Sequence, residues 1–418
     1  METPSGAAPL PTETSRKQRL RLYLSGQASW YLSLGIQFVI FPFLVTQVLD
    51  EPAYRVGLAQ MSLMAPAILF MLLGGSMADR SDARTILIRV HAFAALPPIL
   101  LAILLLYGEL SYGALITYAL AMGTLGAFAL PARDSALTRV AETGIQQAVT
   151  LAMGAQMISQ LVGMLIAATA AYTGTHVLLF FQAAVMIAGG IASWRLAPLP
   201  PSHAPGTDGP LAQILDGLKV SRREPIVITV IGAMFAVGIF YVGSFLVVLP
   251  LMIRDVYHST PDEFTVRFAL VNICFWGGTI AATLVLLRAG HIERRGRVMI
   301  ASLISGAVVL ALLGLSLPFW ALCILIFIWG TGAGTTMTMG RTIVQLSAPD
   351  SHRARVLALY QLGFSGGAPV GSFCMGYLVG TMGIHTATLV PALIVALILA
   401  GLVRFSPLWA YRDEEQML

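Results

Sequence analysis

Charge is scarce in this chain. Only 11% of its 418 residues are Asp, Glu, Lys or Arg, against 57% hydrophobic, and the mean hydropathy is +0.81. One soluble core cannot bury so much apolar surface, so a water-soluble domain is excluded and a membrane protein is implied. Cysteine is rarer still. Cys274, Cys323 and Cys374 lack any paired spacing, which points to neither a disulfide framework nor a zinc site. The seven histidines are scattered; His91 reads either as a proton relay or as a residue packed near the interface with a partly wet ring. No catalytic carboxylate pair, no glycine-rich phosphate loop beside a lysine, and no nucleophile with histidine and acid in reach are present. An enzyme, a cofactor and a metal are therefore not expected.

What is abundant is long apolar runs. A run of about 20 residues crosses the hydrocarbon core as a helix, because every backbone N–H and C=O must pair within the segment. Such runs lie near 22–48, 55–78, 85–107, 112–131, 147–171, 177–195, 226–252, 265–287, 298–316, 318–339, 355–380 and 384–404. The expected fold is an all-α membrane protein of twelve transmembrane helices in two halves. A tail of residues 1–21 precedes a six-helix half at 22–195; a central loop, 196–225, leads to a second half at 226–404 and a tail at 405–418. The first apolar run is too long for a signal peptide, so it stays attached.

Positive charge orients the bundle. Arg16, Lys17, Arg19, Arg21, Arg80, Arg84, Arg133, Arg139, Lys219, Arg222, Arg223, Arg294, Arg295, Arg297, Arg341, Arg353 and Arg412 fall on one side; only Arg55, Arg254 and Arg267 face the other. Both termini are thereby expected in the cytoplasm, with the chain in a bacterial inner membrane. The same loops account for the net charge of +5 without a nucleic-acid partner.

The two halves echo one another, as duplicated transporter halves do. Pro42 in "FVIFPFLV" and Pro250 in "FLVVLPLM" are 208 residues apart, as are Arg133 and Arg341, and Gly163 and Gly371. Ser159, Gly163 and Ala167 form a ridge of small residues in the fifth span; Gly363, Gly367 and Gly371 repeat it in the eleventh. The charged turn "GGSMADRSDAR" also recurs, as "AGHIERRGRVMI", where Glu293, Arg294, Arg295 and Gly296 follow the order of Asp79, Arg80, Ser81 and Asp82.

Those residues carry a resemblance. "GGSMADRSDAR" resembles the loop signature of the major facilitator superfamily, with Gly75, Asp79, Arg80 and Arg84 on matching positions; Asp82 stands where the pattern usually has Gly, and Gly296 keeps that glycine in the second copy. "LPARDSAL", "ILDGLKVSRREP" and "QLSAPDSHRARV" are similar to the bacterial exporter branch that includes the enterobactin exporter. The resemblance implies two pseudo-symmetric halves that rock about a central site. It also implies a cytoplasmic gate: Gly75, Asp79, Arg80, Arg84, Glu293, Arg294, Gly296 and Arg297 in the two loops, with Arg355 at the start of the eleventh helix as the neighbour of Asp79. An anion at a helix C-terminus is unfavourable unless something positive is near. Such a latch closes when the protein faces outward and separates when it faces inward. The alternative is that the loop only sets topology, which explains its arginines but not Asp79 or Glu293. Asp82 is expected to be a solvated loop charge.

A substrate would bind near the midplane between the halves. Polar or aromatic residues well inside spans are the candidate lining: Gln37, Tyr118, Gln156, Gln160, Tyr241, Asn272, Trp276, Thr335 and Gln361. Each can equally serve as an interhelical hydrogen bond or as packing. No Asp or Glu lies in mid-span, and "ALAMGTLGAFALPA" in the fourth helix lacks the arginine of many proton antiporters, so protons are a candidate coupling ion without an obvious carrier; Asp50 and Asp134 are the nearest acids. Arg89 is the only basic residue inside a first-half span and is expected to snorkel. A cavity without fixed charge suits a small neutral or amphipathic organic molecule. The chain reads as a monomeric exporter in the lipid bilayer, of siderophore or drug type. Uptake, lysolipid flipping, or a sensor or assembly role without transport are the alternatives.

Overall fold

The computed structural model describes residues 13–141, 144–201, 210–350 and 352–411. It is helical throughout, and within the described residues it contains no strand. The first half comprises α1 (Glu13–Phe43), α2 (Ala53–Arg80), α3 (Ala83–Ala94), α4 (Leu96–Leu106), α5 (Tyr112–Val140), α6 (Ile145–Ala167), α7 (Ala170–Thr173) and α8 (Thr175–Trp194). After α9 (Pro210–Arg223) come α10 (Pro225–Ala236), α11 (Gly243–Leu251), α12 (Pro261–Ala289), α13 (Arg295–Leu312), α14 (Phe319–Ser347), α15 (Arg353–Met382) and α16 (Ile384–Phe405). The pair α3–α4 forms one span, broken where Pro97 and Pro98 remove two backbone donors. Likewise α10, a π-helical turn at Val237–Val242 and α11 form another.

Eleven of these spans are long and apolar enough to cross a bilayer. The twelfth, α15, has 30 residues but carries glycine and serine where the others carry leucine. Gly363, Gly367 and Gly371 face α10 and the π turn after it, and backbone approach replaces side-chain packing there. Outward, Leu69, Leu287, Leu393 and Leu397 are each more than 60% exposed. That surface is stable only against lipid.

Contacts repeat between the halves. α1 packs on α6 and α8 while α2 packs on α5; in the second half α10 and α11 pack on α15 while α12 packs on α14. Gly35 meets Gly163, where an added Cβ would come within 2.2 Å of Leu32 O, and 208 residues later Gly243 meets Gly371, where it would come within 1.9 Å of Ile239 O. Only glycine permits so close a crossing.

The repeat extends to irregular backbone. Pro42 and Pro250 each precede a π-helical turn, Leu44–Val48 and Met252–Val256, again 208 apart. Proline withholds an N–H and pushes on a preceding carbonyl, which widens the helix beyond it. Two residues past each turn comes a left-handed residue, Asp50 (φ 46°) and His258 (φ 45°). The backbone bonds match as well: Glu51 N to Val45 O at 3.0 Å, Ser259 N to Ile253 O at 3.2 Å.

Three expectations need correction. The fourth helix does not stop near 131: α5 continues through Pro131 to Val140, so Arg133 and Asp134 belong to the helix rather than to a loop. Arg89, which is exposed, is therefore not the only basic residue within a first-half span. The segment 196–225 is more than a loop, because α9 lies in it. Arg412 lies outside the described residues.

Gly371→Leu is expected to lower stability by about 2 kcal/mol or more through overpacking, whereas Gly232→Ala, with open space at its Cβ, stays within about 0.5 kcal/mol of wild type. Thermal unfolding midpoints of the detergent-purified variants check this.

Candidate functional site

The bundle has a terminal end, where α1 begins and α16 finishes, and a far end opposite to it. At the far end the halves meet. α2 and α15 come into backbone contact: a Cβ on Gly57 would lie 2.5 Å from Ser372 O, and one on Gly376 would lie 2.7 Å from Ala53 O. Beside this contact the two π turns face one another across the boundary. Arg254, on the second, donates from Nη1 to Glu51 O at 2.8 Å and reaches Asp50 Oδ1 at 3.4 Å, both in the first half. Asp255 holds the other edge of the guanidinium, at 2.5 and 3.1 Å. The arginine is thus clamped between its own half and the opposite one. Sequence reasoning placed Arg254 on the outer side and named Asp50 only as an acid at a span end nearest to a possible proton path; the signal available was their position on and just after the repeated proline turns.

At the terminal end the signature loops are bound within their own halves. Asp82 is not a solvated charge. Its Oδ1 accepts from Arg84 N at 2.9 Å, capping α3, and from Leu199 N at 3.0 Å, fastening the segment after α8. Arg139 donates to Leu199 O and to Ala78 O, at 2.6 and 3.3 Å, and Arg84 donates to Trp194 O at 2.6 Å. In the second half a Cβ on Gly296 would lie 1.8 Å from Leu408 O, and Arg297 donates to Trp409 O at 3.3 Å with its guanidinium over the Trp409 ring. Each loop therefore grips the tail of its own sixth helix.

The residues expected to latch across the halves are apart. Asp79 and Arg80 are exposed, and among the described residues Asp79 makes no ion pair; Gly75 has no atom within 4 Å of where its Cβ would be. Arg355 instead bonds Asp216 on α9, which His352 also approaches, at 3.4 Å. α9 can sit there because Gly217 lets it close on Arg355 and Leu359. Glu293 and Arg294 are exposed.

The expected cavity residues divide in two. Tyr118 donates to Gln37 Oε1 at 3.1 Å and accepts from Gln182 Nε2 at 3.2 Å, all three buried inside the first half. Tyr241 is buried and donates to Leu303 O, and Asn272 is buried and donates to Phe268 O. Those polar atoms are engaged in helix packing. Gln156, Gln160, Trp276 and Thr335 are part-exposed and Gln361 is exposed, so they keep surface for a ligand.

Two groups that the sequence reading named outside the site, Arg133 as a loop charge and His91 as a proton relay or a partly wet interfacial residue, are buried. Arg133, 5% exposed, lies with its guanidinium 5.0 Å from the Trp30 ring and 4.7 Å from the Tyr31 ring. Aromatic faces stabilise a desolvated cation. His91 is 1% exposed, not partly wet; its Nδ1 is 2.8 Å from Leu87 O. Asp134, one residue beyond Arg133, is exposed at the terminal end of α5.

The chain matches the family of transmembrane secretion effectors over residues 7–416. It belongs to that family. It is 24% identical over 359 residues to the enterobactin exporter EntS of Escherichia coli O127:H6, covering 83% of this chain and 82% of that one, and it aligns equally well with EntS of Shigella boydii serotype 18. Its fold is that of major facilitator transporters. A point mutant of the nucleoside transporter NupG superposes with a TM-score of 0.75 at 15% identity, covering 92% of this chain and 98% of that one. A bacterial homologue of the human lysosomal transporter Spinster, in an inward-facing and unoccupied conformation, gives 0.72 at 11%, covering 96% and 98%. This family member is a multi-pass membrane transporter, not an enzyme.

Asp82→Ala is expected to cost about 1 kcal/mol through the lost cap, while Asp79→Asn leaves unfolding unchanged; thermal midpoints distinguish them. Arg254→Gln is expected to shift the halves toward separation at the far end by about 1–3 kcal/mol. Spin labels at Tyr54→Cys and Thr381→Cys, with the native cysteines replaced by serine, read that as a longer interlabel distance.

Proposed function

We propose that this chain exports a small neutral or amphipathic organic compound across the bacterial inner membrane, its two halves rocking about a central site. The observation that carries the reading is the asymmetry of their contact. Arg254 and the glycine crossing close the far end, while Asp79 and Arg355 are apart at the terminal end. That is one of the two states alternating access requires. The arginine-rich loops assign the terminal end to the cytoplasm, so this state faces inward. Opening the far end would break the Arg254 clamp; closing the terminal end would bring Asp79 toward Arg355, and the latch would stabilise the outward state.

Gln156 and Gln160 on α6, Trp276 on α12, Thr335 on α14 and Gln361 on α15 are the lining that fits a ligand held by an aromatic face and a few hydrogen bonds. Export and a siderophore as cargo are supported by the distant EntS exporters, and an amphipathic, drug-like compound by the uncharged lining. The protein functions as a monomer in this reading.

Everted inner-membrane vesicles presented with a panel of siderophores and amphipathic drugs test it. Energy-dependent accumulation of a panel member is expected, reduced about 5-fold or more by Asp79→Asn, the smallest coupling typical of a two-state bias. Absence of accumulation by correctly inserted protein would favour lipid flipping or a role without transport.

A further inference from the structure

A polar file runs inside the first half along one side of α1. Tyr23, Gln27, Ser29, Ser33 and Gln37 are all buried there, in a helix whose other inward residues are apolar. Partners come from three other helices: Arg133 and Tyr118 on α5, His91 on α3, Gln182 on α8. Ser33 Oγ, Gln182 Oε1 and Arg133 Nη1 are buried without a hydrogen-bond partner. Buried polar atoms of this kind mark positions polar enough to hold water. In a membrane span a buried ionisable group points to function before stability.

Within the file His91 has a particular geometry. Its Nδ1 lies 2.8 Å from Leu87 O, and its Nε2 lies 3.3 Å from Gly26 O and 3.4 Å from Ser29 Oγ. A neutral imidazole has one N–H and can donate to one of the two carbonyls; an imidazolium donates to both. With the N–H on Nδ1, the Nε2 lone pair faces Gly26 O, and the Ser29 hydroxyl, 2.8 Å from that same carbonyl, can turn to either acceptor. α8 leaves room for the ring: a Cβ on Gly189 would lie 2.6 Å from His91 Cδ2 and 1.9 Å from Ser29 Oγ. The surroundings are thus shaped to a ring that adds a proton on the side facing α1.

We propose that His91 is the binding site of the coupling proton, in place of the mid-membrane carboxylate that this sequence lacks. The inference rests on reading the chain as a transporter. In the binding step a hydronium ion at the terminal end gives one proton to the Nε2 lone pair, its O–H bond breaking to leave water as the N–H forms, and the new N–H donates to Gly26 O. The charged and titratable groups around the ring are Arg133 on α5, with Asp134 and Tyr23 beyond it, while α8 presents only Gly189 and Gly190. Coupling runs through α1. That helix carries Gly26 and Ser29 at its middle and, about 25 Å further along at 1.5 Å per residue, the π turn leading to the Asp50 and Glu51 acceptors of Arg254. A proton that draws Gly26 toward α3 therefore biases the element on which the far-end clamp depends.

Trp30 provides a probe, since its ring stands edge-on to His91 with centroids 5.6 Å apart. A protonated imidazole quenches an adjacent indole. Tryptophan fluorescence of the purified protein in lipid nanodiscs, titrated downward from pH 9, is expected to show a one-proton quench that is lost in His91→Asn and in Trp30→Phe. The interlabel distance between Tyr54→Cys and Thr381→Cys is expected to change over the same range in the Trp30→Phe background and not in His91→Asn. Should His91→Asn fail to fold, nitrogen-15 resonances of labelled histidine in the wild type report the same protonation. A titration that persists without His91, a wild-type protein with no titrating buried histidine, or a far end indifferent to pH would each overturn the proposal. Vesicle accumulation separates the two readings: transport insensitive to His91 leaves export standing without this proton site, and a His91 titration without transport leaves the site without the export reading.

Discussion

The structure depends on backbone meeting backbone at the glycine crossings. In lipid, the helices satisfy their own polar groups and gain little from burying apolar side chains, so association relies on close approach and a few polar contacts. Gly35 with Gly163 and Gly243 with Gly371 bind each half internally, and Gly57 with Gly376 binds the halves to each other. Crossings of this kind are rigid within a half. Between halves they occupy one end, which leaves the other end free to separate.

Charge is then spent where geometry needs it. Arg254 sits on the π turn that the second half repeats from the first, and its acceptors lie on or just beyond the matching turn, so the pseudo-symmetry of the fold brings an arginine against a helix terminus rich in carbonyls. A cation at a helix C-terminus is favourable. The repeated proline turn thus supplies both the irregular backbone and the clamp that uses it.

The signature loops illustrate how the same residues divide their roles. Asp82 and Gly296, two residues that set the copies apart, hold the loops onto Leu199 and Leu408 within each half. Asp79 and Glu293, the acids common to both copies, stay exposed. α9 supplies the partner that Arg355 has in this structure, Asp216. Under the proposed latch Asp79 would replace it, and such an exchange would keep a basic residue paired on both sides of the conformational change.

Hydropathy and the 208-residue repeat determined the helical class, the twelve spans, the two halves and the loop signature, because span length and backbone pairing in lipid are properties of local sequence. They misplaced the end of the fourth helix, since Pro131 and the charges after it resemble a boundary until Trp30 and Tyr31 are seen to cover Arg133. Which polar residues face one another was decided by tertiary structure alone. Gln37, Tyr118 and Gln182 are far apart in sequence, as are Arg254 and Glu51, or His91 and Gly26, and nothing in their local context distinguishes a residue turned into its own half from one turned toward the other. That choice is made by the rotation of each helix about its axis, which the packing of the whole bundle sets.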